Sequence, residues 1–123
     1  MRSCGNFVFY TNPALSGEDL MGLFHRSGDA CPMPRREKFD KLIQNSNLLL
    51  AAYVQNRLVG VVRALSDFCS CCYVADVVVD ESYRNMGLRE ALLRQVRLEV
   101  DSEVELVVPF LAPSGSGQVL LVQ

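Results

Sequence analysis

The chain has 123 residues, of which 50% are hydrophobic and 21% charged, with a formal net charge of −2. That length suits one domain spanning 1–123, and the composition suits a core that closes without disulfides or metal. It excludes a disordered chain, and the charge balance excludes the concentrated basic stripe of a nucleic-acid-binding surface.

The densest basic cluster, Arg35, Arg36, Lys38 and Lys41, is interleaved with Glu37 and Asp40 and reads as a solvated helix face. No segment approaches the roughly 20 apolar residues of a membrane span. Met1 to Tyr10 lacks the long apolar stretch and small-residue cleavage site of a secretory signal, so a cytoplasmic location is expected. The five cysteines are Cys4, Cys31, Cys69, Cys71 and Cys72. An odd number without a signal argues against a disulfide framework. Cys69-Ser70-Cys71-Cys72 lacks the separated pairs of a structural zinc site. Read as a strand, it puts Cys69 and Cys71 on one face and Cys72 on the other, as small apolar fillers. No metal is expected.

In chain order, Phe7 to Tyr10 reads as a first strand, closed by Thr11-Asn12-Pro13. Ser16 is placed to cap a helix, with Glu18 and Asp19 in its first turn and Leu15 and Leu20 at the positions of a hydrophobic staple. That helix runs to His25 or Arg26, and Gly28 ends it. Asp29 to Pro34 reads as a loop. Arg35 to Gln44 reads as a second helix with Phe39, Leu42 and Ile43 as its stripe. Leu48 to Val54 and Leu58 to Leu65 form a hairpin around Gln55-Asn56-Arg57. Ser66-Asp67 breaks it, and Cys71 to Val79 is the next strand. From about Gly87 to Val100 the apolar positions Leu88, Leu92, Leu93, Val96 and Val100 recur at helical spacing. Val104 to Val108 is one more strand, stopped at Pro109. Ala112 to Gln118 reads as loop, and Val119 to Val122 as a short last strand. This order predicts an α/β fold: a mixed, mostly antiparallel sheet, one parallel strand–helix–strand unit, and helices on both faces.

One stretch carries chemistry. Tyr83-Arg84-Asn85-Met86-Gly87-Leu88-Arg89-Glu90 lies between the valine-rich strand and the amphipathic helix. The first amides of a helix have no internal partner and that end is positive, so a glycine there lets a phosphate approach the backbone.

Val77-Val78-Val79-Asp80-Glu81-Ser82-Tyr83-Arg84-Asn85-Met86-Gly87-Leu88, followed by Ala91-Leu92-Leu93, resembles the central signature of the GNAT superfamily of N-acetyltransferases. The hairpin before it, with Ala51-Ala52-Tyr53, Asn56-Arg57-Leu58-Val59-Gly60 and Arg63-Ala64-Leu65-Ser66-Asp67, is similar to the second and third strands of that family. The likeness covers about Asn45 to Val108, with a core over 45–110 and an atypical tail over 111–123. It implies an acyl-CoA N-acyltransferase fold and acetyl-CoA as cosubstrate. It further implies that Arg84, Asn85, Met86, Gly87, Leu88 and Arg89 wrap the pyrophosphate. Val77, Val78 and Val79 would pair by backbone with the pantetheine arm, and an amide of that strand would polarise the thioester carbonyl. The amine acceptor attacks directly, so the site must supply a route for its proton and a proton for the departing thiolate.

Two features depart from the family pattern. Arg89 stands where the family has a small residue, and it would either block the phosphates or offer them its guanidinium. The family's C-terminal helix with its tyrosine has no counterpart after Val108. No tyrosine follows Tyr83. The candidate base is Asp76, an acid within an apolar strand, whose bland alternative is a structural hydrogen bond. Tyr73, Tyr53 and His25 are weaker candidates. The leading reading is acetyl transfer from acetyl-CoA to a primary amine of a small molecule or peptide. The alternative is an inactive module of the same fold that binds CoA or a protein. A homodimer is a third reading, with Val104 to Val108 as an exposed sheet edge that Val119 to Val122 of a second copy covers.

Overall fold

The computed structural model describes residues 2–4, 6–28, 35–111 and 117–122. Its elements are β1 (Arg2–Cys4), β2 (Phe7–Thr11), α1 (Gly17–Arg26), α2 (Arg36–Gln44), β3 (Leu48–Val54), β4 (Arg57–Ser66), β5 (Cys71–Val79), a 3-10 turn (Glu81–Tyr83), α3 (Leu88–Glu99), β6 (Glu105–Leu111) and β7 (Gly117–Val122). The strands form one sheet in chain order. All neighbouring pairs are antiparallel except β5 with β6, which α3 joins in parallel. This is the mixed sheet expected from the sequence. No helix among the described residues is long and apolar enough to cross a membrane, and no group of side chains there could hold a metal. Asp29 to Pro34, including Cys31, lies outside the described residues.

Local chemistry explains the element boundaries. Ser16 Oγ accepts the Asp19 amide at 3.0 Å while Asp19 Oδ2 accepts the Ser16 amide at 3.2 Å, so α1 begins on a reciprocal capping box. The β4–β5 turn is built on Asp67, whose Oδ1 accepts the amides of Cys69, Ser70 and Cys71 at 2.9, 2.8 and 3.1 Å. The Ser70 hydroxyl, with the amides of Ser70, Cys69 and Cys71, holds the Asp67 carboxyl well below the usual carboxylate range. Cys69 therefore lies in a turn and not in a strand. Only Cys71 and Cys72 show the expected alternation, exposed and buried.

Two cores lie on opposite faces of the sheet. On one, α3 presses Leu88, Leu92 and Val96 onto Leu50, Ala52, Val62, Val74 and Leu106. A Cβ added to Gly60 would stand 2.9 Å from Leu92 Cδ1, so the glycine lets α3 sit directly on β4. On the other face α1 and α2 bring Leu20, Leu23, Phe24 and Phe39 onto Ala51, Val61 and Val78.

The C-terminal expectations need correction. β6 does not stop at Pro109. It runs to Leu111, with Pro109 opposite Val119. By Pro109 β6 no longer has β5 as a neighbour, and a residue without an N–H is tolerated where a strand has become an edge. Gly117 and Gln118, read as loop, open β7, while residues 112–116 of that segment are not described. The edge along Val104 to Val108 is not exposed for a second copy. Leu106, Val107 and Val108 face Val122, Leu121 and Leu120 of the same chain, which removes the reason for expecting a dimer there.

Candidate active site

The site is made by the far end of β5 and the start of α3. Over Arg63 and Ala64 the β4–β5 register slips from Asp76 to Val74, leaving Ala75 as a bulge. A bulge reverses the side-chain phase of a strand. Before it Cys72 and Val74 point into the α3 core. After it Val77 and Val79 border that core, and Val78 points into the α1/α2 core. Register with β6 ends at Tyr73 and Val107, so among the described residues no strand pairs with the β6-facing edge of Val74 to Val79. The parallel pair thus forks at Tyr73, and the open edge leads toward α3.

At the end of that edge lies a cavity of about 300 Å³ lined by Val77, Val79, Arg84, Arg89 and Glu90. Its floor is the start of α3. Gly87 caps the helix in the left-handed conformation, with φ 73° and ψ 14°, and among the described residues no side chain caps the first amides. The first intrahelical bond runs from the Ala91 amide to the Gly87 carbonyl at 3.0 Å. The amides of Leu88, Arg89 and Glu90 precede it, as donors at the positive end of the dipole. A Cβ built on Gly87 would meet nothing within 4 Å, so the loop leaves open space where an anion would sit.

Of the residues predicted for the site, Val77, Val79, Arg84 and Arg89 line this cavity, and the others contribute from elsewhere. Arg89 is exposed and forms no ion pair among the described residues. Asn85 and Met86 are exposed on the loop. The Leu88 side chain is buried in the α3 core and Val78 in the other, so each can offer only its backbone. Asp76 sits at the bulge on the face away from α3. Its Oδ2 accepts from Arg63 Nε at 2.6 Å, and Arg63 Nη1 also donates to Ser46 Oγ at 3.3 Å. Tyr73, 42% exposed, stands at the fork. Tyr53 lines a separate cavity, and His25 is exposed in the last turn of α1.

Sequence reading missed what holds the loop. Asp80 is 2% exposed, and three groups from separate elements converge on it. Its Oδ2 accepts from Arg26 Nε at 3.1 Å and Arg57 Nη2 at 3.3 Å, while its Oδ1 accepts the Ser82 amide at 2.9 Å. Burial alone would push its carboxyl up. The bonds from Ser82, Arg26 and Arg57 outweigh that and hold it below its ordinary value. Arg84 also donates to the Ser27 carbonyl, so the end of α1 is tied to the segment before α3 twice. An acid directly after an apolar run was a signal that a partner is needed. Nothing in the spacing could select Arg26, 54 residues away.

The family model described as "Acetyltransferase (GNAT) family" matches residues 17–103. No curated protein matches the chain in sequence. Among solved structures, a GNAT-family acetyltransferase from Streptococcus pneumoniae superposes with a TM-score of 0.66 at 21% identity, over 81% of this chain and 74% of that one. The ribosomal-protein alanine N-acetyltransferase of Escherichia coli gives a TM-score of 0.67 at 17% identity, over 87% and 68%. A GNAT acetyltransferase from Elizabethkingia anophelis, solved with acetyl-CoA bound, gives 0.61 at 19%, over 89% and 68%. These identities speak for the fold, and the family match spans well over half of the chain: the chain belongs to the GNAT acetyltransferase family.

Proposed function

We propose that the chain transfers the acetyl group of acetyl-CoA to a primary amine of a small molecule or peptide. The observation that carries this reading is the open β6-facing edge of Val74 to Val79, which leads to the uncapped, glycine-opened start of α3. An extended amide chain adds to an open strand edge through backbone hydrogen bonds, and a pyrophosphate suits a helix N-terminus. The pantetheine arm and the pyrophosphate of acetyl-CoA carry those two chemistries in that order. Arg84 and Arg89 line the same cavity and add charge-assisted donors for phosphate oxygens. Glu90 lines it too, so the positive balance there is modest. The E. anophelis neighbour was solved with acetyl-CoA, and the E. coli neighbour is an alanine N-acetyltransferase. Both fit this reading, as does the cytoplasmic location expected from the sequence.

In this reading an amide near the bulge polarises the thioester carbonyl. The neutral amine adds to the carbonyl carbon, the C–S bond breaks, and amide and CoA thiol are the products. Asp76 accepts or relays the proton leaving the amine nitrogen, with its rotamer set by Arg63. The thiolate needs a proton in return. Tyr73, at the last paired position before the fork, presents an exposed phenol on the same face as Asp76 and supplies it.

Calorimetric titration with acetyl-CoA tests the binding half, and release of free CoA thiol across an amine panel tests the chemical half. Saturable heat with amine-dependent thiol release is expected. No heat and no thermal shift at millimolar acetyl-CoA would end the proposal. Binding without release from any amine would leave the inactive CoA-binding module as the reading.

A further inference from the structure

A second cavity, of about 410 Å³, opens on the face of the sheet away from α3 and is lined by Val8, Tyr10, Pro13, Tyr53, Gln55 and Asn56. Register fixes that face. Val8 is opposite Tyr53 and Tyr10 opposite Ala51, and Ala51 belongs to the α1/α2 core. The intervening Phe9 and its partner Ala52 belong to the α3 core. The cavity therefore lies two strands away from β5 and shares no lining residue with the cavity at the start of α3.

Its chemistry is specific. The rings of Tyr10 and Tyr53 meet edge to face, with centroids 5.5 Å apart and planes at 85°. Two rings at right angles make a corner bounded by an electron-rich π face, and such faces attract cations. Tyr10 is nevertheless 41% exposed, so the corner is open to solvent. Val8 and Pro13 add apolar wall. Gln55 and Asn56, held in the turn at φ 50° and 67°, bring amide groups to the rim. Among the described residues no lysine or arginine lines the cavity, and the negative charge of Asp19, on α1, acts on Tyr53. The Tyr53 phenol is pushed up, first by burial and then by the negative charge of Asp19.

We infer that the Tyr10–Tyr53 corner binds a small organic ammonium ion, with the cation against the rings, its alkyl groups against Val8 and Pro13, and Asp19 supplying opposite charge. A neutral apolar ligand would gain from the walls but nothing from Asp19. An anion would be repelled by both the ring faces and the carboxylate.

Ligand-observed NMR titration with choline and with its uncharged isostere 3,3-dimethylbutan-1-ol tests this on the intact chain. Saturable choline binding is expected, with the isostere about tenfold weaker, the scale of two cation–π contacts. Tyr10→Leu and Tyr53→Leu should each abolish the preference. Asp19→Asn should weaken choline several-fold while keeping the α1 cap, because an asparagine oxygen still accepts the Ser16 amide. Melting temperatures within a few degrees of the parent exclude misfolding as the cause. Equal binding of the two isosteres, unchanged choline binding in Tyr10→Leu, or no saturable choline binding at 100 mM would each overturn the inference.

Discussion

The two halves of β5 share a strand and differ in everything that matters for function. From Cys71 to Val74 the strand lies beside β4, and up to Tyr73 it is also paired with β6; Cys72 and Val74 are sealed in the α3 core. Past the Ala75 bulge it keeps β4, has no strand on the other edge among the described residues, and borders a cavity. The first half is packed for stability, and the second half is the part that the proposed site uses. One inserted residue separates them, because it reverses the side-chain phase, while the parting of β6 leaves backbone groups on offer.

Six substitutions test that division, from the largest expected effect to the smallest. Asp80→Ala removes the joint between the site and α1. With Arg26 and Arg57 left facing an empty pocket, about 3 kcal/mol of stability should be lost at neutral pH, read from urea unfolding. The folded-state pKa of Asp80 is depressed, so its contribution is fully present above the unfolded carboxylate value of about 4 and disappears as pH falls through the lower folded value. The gap between parent and variant should therefore be constant from pH 7 to 5 and close in the acid range. A gap that widens below pH 4 would contradict the ion-pair reading.

Asp76→Asn should lower kcat about a hundredfold with little change in the melting temperature, if Asp76 handles the amine proton. An unchanged kcat would reduce Asp76 to a partner of Arg63. Tyr73→Phe should give a smaller loss of kcat, shrinking for acyl thioesters whose thiols are more acidic and need no proton on departure.

Val74→Ala, at a position 2% exposed in the sealed half, should cost about 2 kcal/mol, and Val77→Ala in the open half less than about 1 kcal/mol. Equal costs would show that the two halves are packed alike. Arg89→Gly should change CoA affinity only several-fold. Weaker binding means that the guanidinium assists the phosphates, and tighter binding means that it obstructs them, which calorimetry distinguishes.

Much of the fold was legible because its signals are local. Ser16 with Asp19 starts α1, the Gln55-Asn56 turn closes the hairpin, and the Leu88 to Val96 periodicity makes α3 amphipathic. The segment from Val77 to Arg89 was likewise legible as a unit, since strand, turn, glycine and helix follow one another in the chain. β1 escaped notice because Arg2–Cys4 is short and polar, and it is a strand only because β2 offers an edge. β6 was cut short at Pro109 because proline normally ends a ladder, and only the absence of β5 at that level allows the strand to continue.

The sequence by itself determined the order of the strands and helices after β1, the two apolar faces, and the glycine that opens the start of α3, because each depends on residues within a few positions of one another. Tertiary structure alone decided the rest. The Ala75 bulge depends on how β4 and β5 align. The fork depends on where β6 leaves β5. The Asp80 joint and the Tyr10–Tyr53 corner bring together side chains 54 and 43 residues apart in the chain. No period or spacing encodes such meetings, because the sheet register sets them, and register is a property of paired strands.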